Sequence, residues 1–282
     1  MVCYSPLQGW RGKVAGANGR RPIVFNKSLG FPDLPVKVPC GGCTGCRLET
    51  SRQWAVRMVH EAQMHSENCF ITLTYNKDNL PRDCSLDVRE WQLFMKKVRK
   101  KYGSGLKFFH CGEYGEENGR PHYHALLFGM DFHDRRFFTQ RRYGQKTWDV
   151  DTSKELEELW GLGYCTVGDV TFESAGYAAR YVMKKINGKM AADHYQGRRP
   201  EYTTNSAGIG QSWFEKYGMT DVFPRDYVVI EGRKMRVPRY YDKLLDKRDP
   251  ELMAEIKRRR VRGAARHKDD NTRERLATRE RS

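Results

Sequence analysis

Residues 108–129, FFHCGEYGEENGRPHYHALLFG, constrain the fold more than any other stretch of the chain. Two apolar runs flank the dipeptide Asn118-Gly119, a pattern typical of a β-hairpin. Because side chains alternate along a strand, His122 and His124 project from one face. Two imidazoles held by one rigid strand indicate a metal-binding geometry.

The same hairpin predicts a third ligand. A tight turn centred on Asn118-Gly119 pairs Glu113 with His124, and directly opposed residues share a face. His110 then lies on the other face, although a bulge in the glycine-rich loop would shift the register by one residue and reverse the two. Two histidines and a carboxylate suit Mn²⁺ or Mg²⁺ in phosphodiester chemistry. The alternative is that the histidines merely decorate a strand, but their spacing and the opposed acid favour a metal site.

The charge balance predicts a polyanionic partner. Among 282 residues, 51 are Lys or Arg and 35 are Asp or Glu, a net charge of +16. Nucleic acid is the leading partner, and we expect no membrane association because no run of about 18 apolar residues occurs. The N-terminus lacks the apolar core of a signal peptide, so we expect the chain to remain in the compartment where it is made, a reducing one.

Three of the eight cysteines are closely spaced, in the run Cys40-Gly-Gly-Cys43-Thr-Gly-Cys46. Each CxxC can wrap around a tetrahedral ion, and Cys3 is the nearest spare thiol, so we predict a structural zinc site. The alternative is a glycine-rich turn with free thiols. The remaining cysteines are expected to be small core hydrophobes: Cys69, Cys84, Cys111 and Cys165.

Apolar periodicity predicts the main elements of the chain. Helices are expected at residues 47–65, 87–102, 153–160, 173–187 and 244–260. Strands are expected at 69–75, whose threonines we interpret as packing residues, and at 163–172, with a hairpin at 227–237. Residues 135–147 are predicted to be a charged connector. The basic end of the second helix, which includes Lys96 and Lys97, is either a solvated face or a DNA contact.

The helix predicted at 173–187 carries Tyr177 and Tyr181 one turn apart on one face, and Lys184 and Lys185 extend that face. A phenol can attack phosphorus and hold the product as a phosphotyrosine, which conserves the energy needed for rejoining. The alternative is an aromatic pair in the core. The neighbouring small residues and the upstream hairpin favour the catalytic interpretation.

Three motifs together resemble those of two-tyrosine HUH rolling-circle replication initiators. They are the strand CFITLTY, the run GRPHYH with an upstream GEYGE, and the helical segment YAARYVMK. The likeness is greatest to the microvirus initiators, and the stretch PCGGCTGCR resembles their gokushovirus branch. The resemblance covers about residues 38–187.

The resemblance implies an α+β, ferredoxin- or RRM-like fold with an antiparallel sheet of about five strands and helices on its faces. It also implies roles for matching residues: metal ligands His122, His124 and Glu113, nucleophiles Tyr177 and Tyr181, and the motif lysine Lys184. One departure is Arg180, which stands where relatives often have a lysine. The arginine keeps the charge, but proton transfer from it is unfavourable. We expect Arg180 and Lys185 to contact DNA.

Four segments are expected: a Cys-rich segment at 1–46, the endonuclease core at 47–189, an extension at 190–256 and a basic tail at 257–282. The tail holds eleven Lys or Arg and four acids, a net charge of +7 that suits phosphate contacts in a disordered segment. No Walker loop occurs, so a host helicase must unwind the strands.

The expected activity is nicking and rejoining of single-stranded origin DNA in the cytoplasm of a bacterial host cell, where a host polymerase extends the released 3′ hydroxyl. Two alternatives remain: a noncatalytic zinc-containing DNA-binding protein, and a metal phosphodiesterase that uses water.

Overall fold

A computed structural model describes residues 3–17, 19–115, 118–143, 146–184 and 190–266. The chain forms two compact units. One consists of residues up to Thr50 together with those from Lys257 onward, and the other is Ser51–Ile256. Among the described residues, no helix combines the length and apolar character needed to cross a membrane.

The strands are β1 Leu7–Gly12, β2 Ile23–Val24, β3 Gly30–Val38, β4 Asn68–Tyr75, β5 Lys107–Tyr114, β6 Pro121–Phe128, β7 Arg136–Tyr143, β8 Lys146–Thr152, β9 Gly163–Gly168, β10 Tyr202–Asn205, β11 Val228–Ile230 and β12 Arg233–Met235. The α-helices are α1 Thr44–Ala62, α2 Val88–Tyr102, α3 Lys154–Trp160, α4 Phe172–Lys184, α5 Met190–Tyr195, α6 Gln211–Tyr217, α7 Arg239–Arg248 and α8 Pro250–Arg266. A 3₁₀ turn lies at Lys27–Leu29 and a π-helical turn at Gly218–Val222.

The larger unit is built on one antiparallel sheet with the strand order β10-β5-β6-β4-β9-β8-β7. The α+β class with a large antiparallel sheet is therefore confirmed, but the sheet has seven strands instead of about five. The predicted connector at 135–147 was wrong, because most of it belongs to the β7–β8 hairpin. Arg, Gln and Thr alternate with few apolar residues in β7, so the period-two signal of a half-buried strand is missing there.

The two faces of the sheet have different covers. On one face, α2 and α3 pack through Trp91, Phe94, Leu156 and Trp160 against a core that includes Tyr123. On the other face, small residues of α1 and α4 pack against the aromatic and aliphatic side chains of β5 and β6. These small residues are Ala55, Ala175, Ala178 and Ala179. Because they have only a methyl group, the axis of α4 can approach the sheet closely.

The predicted ends of α2 and α3 are confirmed. The Asp87 side chain accepts a hydrogen bond from Arg89 N at 2.7 Å, and Gly103 follows the last turn of α2 with φ 98°. The Ser153 hydroxyl accepts from Leu156 N at 3.1 Å at the start of α3. Side-chain oxygens at the first position and glycine after the last position satisfy helix ends that have no partner within the helix.

Other predicted boundaries need correction. The helix expected at 244–260 is two helices, because Pro250 cannot continue α7 and restricts Asp249 before it. The strand expected at 163–172 ends at Gly168, and α4 begins at Phe172. The N-terminal residues form a three-stranded sheet, β2-β1-β3. Of the predicted disordered tail, residues 257–266 are helical and the remainder lies outside the described residues.

The segment 190–256, which the sequence left without a role, completes the larger unit. Strand β10 pairs with β5, and helices α6 and α7 contribute to a second core around Trp213 and Tyr241. The hairpin predicted at 227–237 is confirmed as β11–β12. Its two turn residues, Glu231 and Gly232, have φ values of 47° and 75°. This combination is typical of a two-residue hairpin turn.

The glycines of the larger unit provide a test of its backbone packing. Gly163 has φ +155°, and a Cβ at this position would overlap the backbone atoms Asn76 N and Thr74 O. We expect Gly163→Ala to lower the free energy of unfolding by about 3 kcal/mol, because the β4–β9 pairing must shift. Gly176 in α4 has open space around it, so Gly176→Ala should raise that free energy by about 0.5–1 kcal/mol. Urea unfolding measures both, and equal stability of the two variants would contradict this account.

Candidate metal and nucleophile site

The β5–β6 hairpin brings Glu113 and the two histidines to one face of the sheet. Its register pairs Glu113 with His122 and Cys111 with His124. The predicted pairing of Glu113 with His124 was therefore wrong by two residues. The connecting loop is longer than a tight turn on Asn118-Gly119, with Gly115 N donating to Arg120 O at 2.9 Å. Because a strand repeats every two residues, this shift leaves Glu113 on the predicted face.

The three side chains converge on one point. Glu113 Oε1 lies 2.8 Å from His122 Nε2 and 3.0 Å from His124 Nε2. His122 Nδ1 lies 3.1 Å from Arg120 O, and a carbonyl can only accept, so this nitrogen carries the proton. In the neutral ring, the Nε2 lone pair then points at a carboxylate oxygen. A cation between them, either a proton or a metal ion, removes that repulsion.

The protonation states favour a metal over a proton at His124. Burial lowers the pKa of His124 to about 4, so this ring is neutral at pH 7. Burial alone would raise the pKa of Glu113, but hydrogen bonds with His122 and His124 outweigh it and place that pKa well below its usual range. The site therefore offers an ionised carboxylate and a neutral imidazole, which are the forms that bind metal ions.

The distances also suit a six-coordinate divalent ion. At bond lengths of about 2.1 Å, adjacent ligand atoms of an octahedral Mg²⁺ or Mn²⁺ site lie about 3.0 Å apart. The two N–O distances above match this value. Three protein ligands leave positions open for water or phosphate oxygens. Thr72 Oγ1 lies 2.9 Å from His124 Nδ1 and so orients the ring. The interpretation of the β4 threonines as packing residues therefore fails for Thr72.

His110 does not belong to this site. It is fully buried on the opposite face, where its ring stacks on Trp91 at 3.7 Å between centroids. Its Nδ1 lies 3.0 Å from Thr204 Oγ1, and burial lowers its pKa well below the ordinary value. The alternative register with His110 as third ligand is therefore excluded in this structure.

Helix α4 places both predicted tyrosines beside the three converging side chains. The centroids of the Tyr177 and Tyr181 rings each lie 5.2 Å from that of His124, and the two tyrosine rings are 5.0 Å apart and perpendicular. Their environments differ. Tyr177 lines an open cleft of about 360 Å³ together with His122 and His124, whereas Tyr181 is 3% exposed. Burial, followed by the charge of Glu113, raises the pKa of Tyr181 far above its ordinary value.

The predicted cationic residues are not all brought to the cleft. Lys96 and Lys97 lie on α2, which covers the opposite face of the sheet, and Lys97 Nζ donates to Leu159 O at 3.0 Å. Arg180 is half-buried on α4. Lys184 is the last residue of α4, but its side chain and all of Lys185 lie outside the described residues.

Two cleft residues were missed from the sequence. Arg120 and Arg141 both line the cleft. Arg120 directly precedes the PHYH run, so its sequence position was a usable signal. Arg141 lay in the stretch interpreted as a connector, and only the pairing of β7 with β8 brings it to this place.

The predicted cysteine ligands come together in the smaller unit. Cys3 Sγ lies 3.6 Å from Cys40 Sγ and 3.8 Å from Cys43 Sγ, and the four sulfurs of Cys3, Cys40, Cys43 and Cys46 lie within 4.8 Å of one another. Tetrahedral zinc with bonds of about 2.3 Å places its sulfurs about 3.8 Å apart. These separations are too long for a disulfide, in which the sulfurs lie about 2.05 Å apart.

Backbone N–H groups support this arrangement of sulfurs. Cys40 N donates to Cys3 Sγ at 3.2 Å, and Tyr4 N donates to Cys43 Sγ at 3.4 Å. Burial raises the pKa of Cys43, but the hydrogen bonds from Tyr4 and its neighbours outweigh it and lower that pKa to about 6. A zinc ion fits these four residues. Of the other cysteines, Cys69, Cys111 and Cys165 are buried as predicted, whereas Cys84 is half-buried and outside the core.

The comparisons with known proteins agree with this arrangement. A family model described as replication-associated protein ORF2 matches residues 68–186, which contain the hairpin and both tyrosines. Replication-associated protein VP4 of Bdellovibrio phage phiMH2K is 34% identical over 266 residues, covering 90% of this chain and 80% of the relative. The chain belongs to the phage replication-associated proteins.

Other members of the family support the assignment. Replication-associated protein ORF2 of Spiroplasma virus 4 is 31% identical over 246 residues, covering 81% of this chain and 74% of the relative. Replication-associated protein ORF4 of Chlamydia phage 1 is 33% identical over 227 residues, covering 78% of this chain and 55% of the relative. No solved structure is detectably similar. The resemblance to microvirus replication initiators is thus confirmed.

Mn²⁺ binding tests the three converging side chains. We expect Glu113→Gln and His122→Ala each to weaken Mn²⁺ binding at least about 100-fold, because each removes one of three ligands. Thr72→Val keeps the shape but loses the bond to His124, and we expect a loss of about 10-fold. His133→Ala is the control, since that side chain is 76% exposed. Electron paramagnetic resonance of free Mn²⁺ measures each affinity. Wild-type affinity in Glu113→Gln would remove Glu113 from the site.

Zinc content tests the cysteine cluster. Purified protein should contain about one zinc ion per chain, and Cys43→Ser should lose it and lower the unfolding temperature, because structural zinc contributes directly to folding. Cys84→Ser is the control and should keep the metal. Mass spectrometry of the intact protein under native conditions gives the stoichiometry. Metal-free protein with an unchanged unfolding temperature would disprove the zinc site.

Proposed function

We propose that this chain is a metal-dependent single-strand DNA endonuclease and strand transferase of the two-tyrosine HUH class, which starts rolling-circle replication. One observation carries the proposal. The Tyr177 ring lies 5.2 Å from the ring of His124 in a cleft that also contains His122. A nucleophile beside a three-residue metal site is the minimum that phosphodiester transfer requires.

The first step assigns the attack to Tyr177, because it lines the open cleft and Tyr181 is buried. The Tyr177 phenol loses its proton and its oxygen forms a bond to phosphorus. The bond from phosphorus to the 3′ oxygen breaks, and that oxygen leaves as a 3′ hydroxyl after it takes up a proton. The products are a 5′-phosphotyrosine and a free 3′ end.

His122, His124 and Glu113 would hold the Mg²⁺ or Mn²⁺ ion. When bound, the ion supplies positive charge next to the non-bridging oxygens of the reacting phosphate. Thr72 keeps the His124 ring oriented, and burial keeps that ring neutral. Arg120 and Arg141 at the rim add positive charge that favours DNA entry. We further propose that Arg180, Lys184 and Lys185 neutralise phosphate charge beside the tyrosines.

Tyr181 is proposed to perform the second transfer. It lies within hydrogen-bonding reach of Tyr177 and Glu113, so it can reach the same point once the chain opens its cover. While Tyr177 holds the 5′ phosphate, Tyr181 cleaves the regenerated origin. The newly freed 3′ hydroxyl then attacks the first phosphotyrosine, which closes the circle and releases Tyr177.

The proposed partners follow from this cycle. The substrate is single-stranded DNA at the replication origin, a host helicase separates the strands, and a host polymerase extends the 3′ hydroxyl in the bacterial cytoplasm. A second function, a noncatalytic zinc-containing DNA-binding protein, is favoured only by the cysteine cluster. That function does not need two tyrosines beside a buried carboxylate.

Covalent adduct formation tests the nucleophiles. Incubation with Mn²⁺ and single-stranded DNA from the phage origin should give an adduct that survives denaturing electrophoresis. We expect Tyr177→Phe to lose most of the adduct on a short oligonucleotide, Tyr181→Phe to keep it but fail to circularise, and the double variant to form none. Tyr227→Phe, outside the cleft, is the control.

Two outcomes would contradict the scheme. If wild-type protein released cleaved DNA with a free 5′ phosphate and no adduct, water would be the nucleophile. If either single Phe variant completed cleavage and circularisation at the normal rate, the other tyrosine would be a packing residue.

A further inference from the structure

The sheet face that carries the histidines is only partly covered. Over β5 and β6, α1 and α4 pack on Phe109, Leu126 and Phe128. Toward β9 and β8, the same face instead exposes two aromatic rings. The Tyr164 side chain is 68% exposed and that of Trp148 is 37% exposed.

Strand register connects Tyr164 to the cleft. His122 on β6 is directly opposite Thr74 on β4, and Thr74 is directly opposite Tyr164 on β9. Directly opposed residues in antiparallel strands have Cβ atoms about 4.5–5.5 Å apart and share a face. Thr74 itself lines the cleft. Tyr164 is therefore the next side chain beyond the cleft wall in this row.

The β7–β8 hairpin connects Trp148 to the cleft in a similar way. Trp148 is directly opposite Arg141, and Arg141 lines the cleft together with Tyr177. The register of the hairpin is interrupted between Phe137 and Thr139, which is typical of a bulge that bends a strand pair. The pair Trp148 and Arg141 thus shares the face on which the cleft opens.

The charges of the hairpin are sorted between its two faces. Asp149 and Asp151 alternate with Trp148 along β8, so both point away from the cleft. Asp149 accepts a hydrogen bond from Gln140 at 2.8 Å on that other face. Phe137, which is 66% exposed, is opposite Asp151 and shares that face too. The cleft side of the hairpin therefore presents an arginine and an aromatic ring, and both aspartates of β8 lie on the other side.

We propose that Tyr164, Trp148 and Arg141 form a docking surface for the unpaired nucleotides that flank the cleaved phosphate. Two bases stack on Tyr164 and Trp148, and the Arg141 guanidinium binds a backbone phosphate. Continuity with the cleft, and the position of the β8 aspartates on the opposite face, select single-stranded DNA as the occupant. Bases in a duplex already stack on each other, so the surface discriminates against paired DNA. This inference rests on the proposed function but assigns residues outside its catalytic set.

Fluorescence anisotropy with a fluorescein-labelled oligothymidylate of about 20 nucleotides, in EDTA, tests the surface without cleavage. We expect Trp148→Ala and Tyr164→Ala each to weaken binding about 10-fold, and Trp148→Phe and Tyr164→Phe to stay within about threefold of wild type, because a phenyl ring still stacks. Phe137→Ala is the matched control on the opposite face of the same hairpin and should bind as wild type.

Salt dependence tests the arginine separately. Arg141→Gln should reduce the slope of log affinity against log salt by about one phosphate contact, whereas the aromatic variants should keep the wild-type slope. Because Arg141 is exposed, this variant does not depend on how well Trp148→Ala folds. An unchanged slope would remove Arg141 from the proposed surface.

Other outcomes separate this inference from the proposed function. Wild-type affinity in both Ala variants, equal loss in Phe137→Ala, or an equal loss on fully paired DNA would overturn the docking surface, even if the adduct forms normally. Conversely, ring-dependent binding by a wild-type protein that forms no adduct would support the docking surface and reject the nuclease.

Discussion

The buried carboxylate of Glu113 between two imidazoles is the interaction on which the rest of the site depends. An ionised carboxylate inside a protein costs several kcal/mol unless a cation or hydrogen-bond donors offset it. His122 and His124 approach one oxygen of Glu113 at 2.8 and 3.0 Å. Because His122 donates its Nδ1 proton to a backbone carbonyl, the arrangement leaves a position that a metal ion satisfies well.

The close approach of α4 to the sheet converts this metal site into a possible reaction centre. Ala175, Ala178 and Ala179 have no side chain beyond Cβ, so the helix lies near β5 and β6, and its tyrosines reach His124. Larger residues at these positions would lift the phenols away from the ligands. The two tyrosines differ because they are one turn apart, so that one borders the cleft and the other lies beneath it.

The sheet separates structural and chemical tasks between its faces. One face carries the large aromatic core formed with α2 and α3, which includes His110 as a buried, stacked residue. The other face carries the metal ligands and extends into an uncovered region toward β8. Functional side chains can therefore vary on one face without disturbing the packing that holds the strands together.

The sequence alone determined the metal ligands, the tyrosine pair and the cysteine cluster as groups, because each has a spacing with a simple geometric meaning. A period of two places His122 and His124 on one face, and a spacing of four places Tyr177 beside Tyr181 on a helix. The CxxC repeats brought Cys40, Cys43 and Cys46 together, and Cys3 followed as the nearest spare thiol. The ends of α2 and α3 were equally readable from Asp87, Gly103 and Ser153.

Only the tertiary structure decided how these groups meet. The register of β5 with β6 depends on the length of a loop, and a two-residue error in that length kept the face but changed the partner of Glu113 from His124 to His122. The β7–β8 hairpin is stabilised by pairing with β9 instead of by an apolar face, so its sequence has no clear period. Arg141, Thr72 and the unequal burial of the tyrosines depend on contacts between residues far apart in the chain, and no local pattern encodes such contacts.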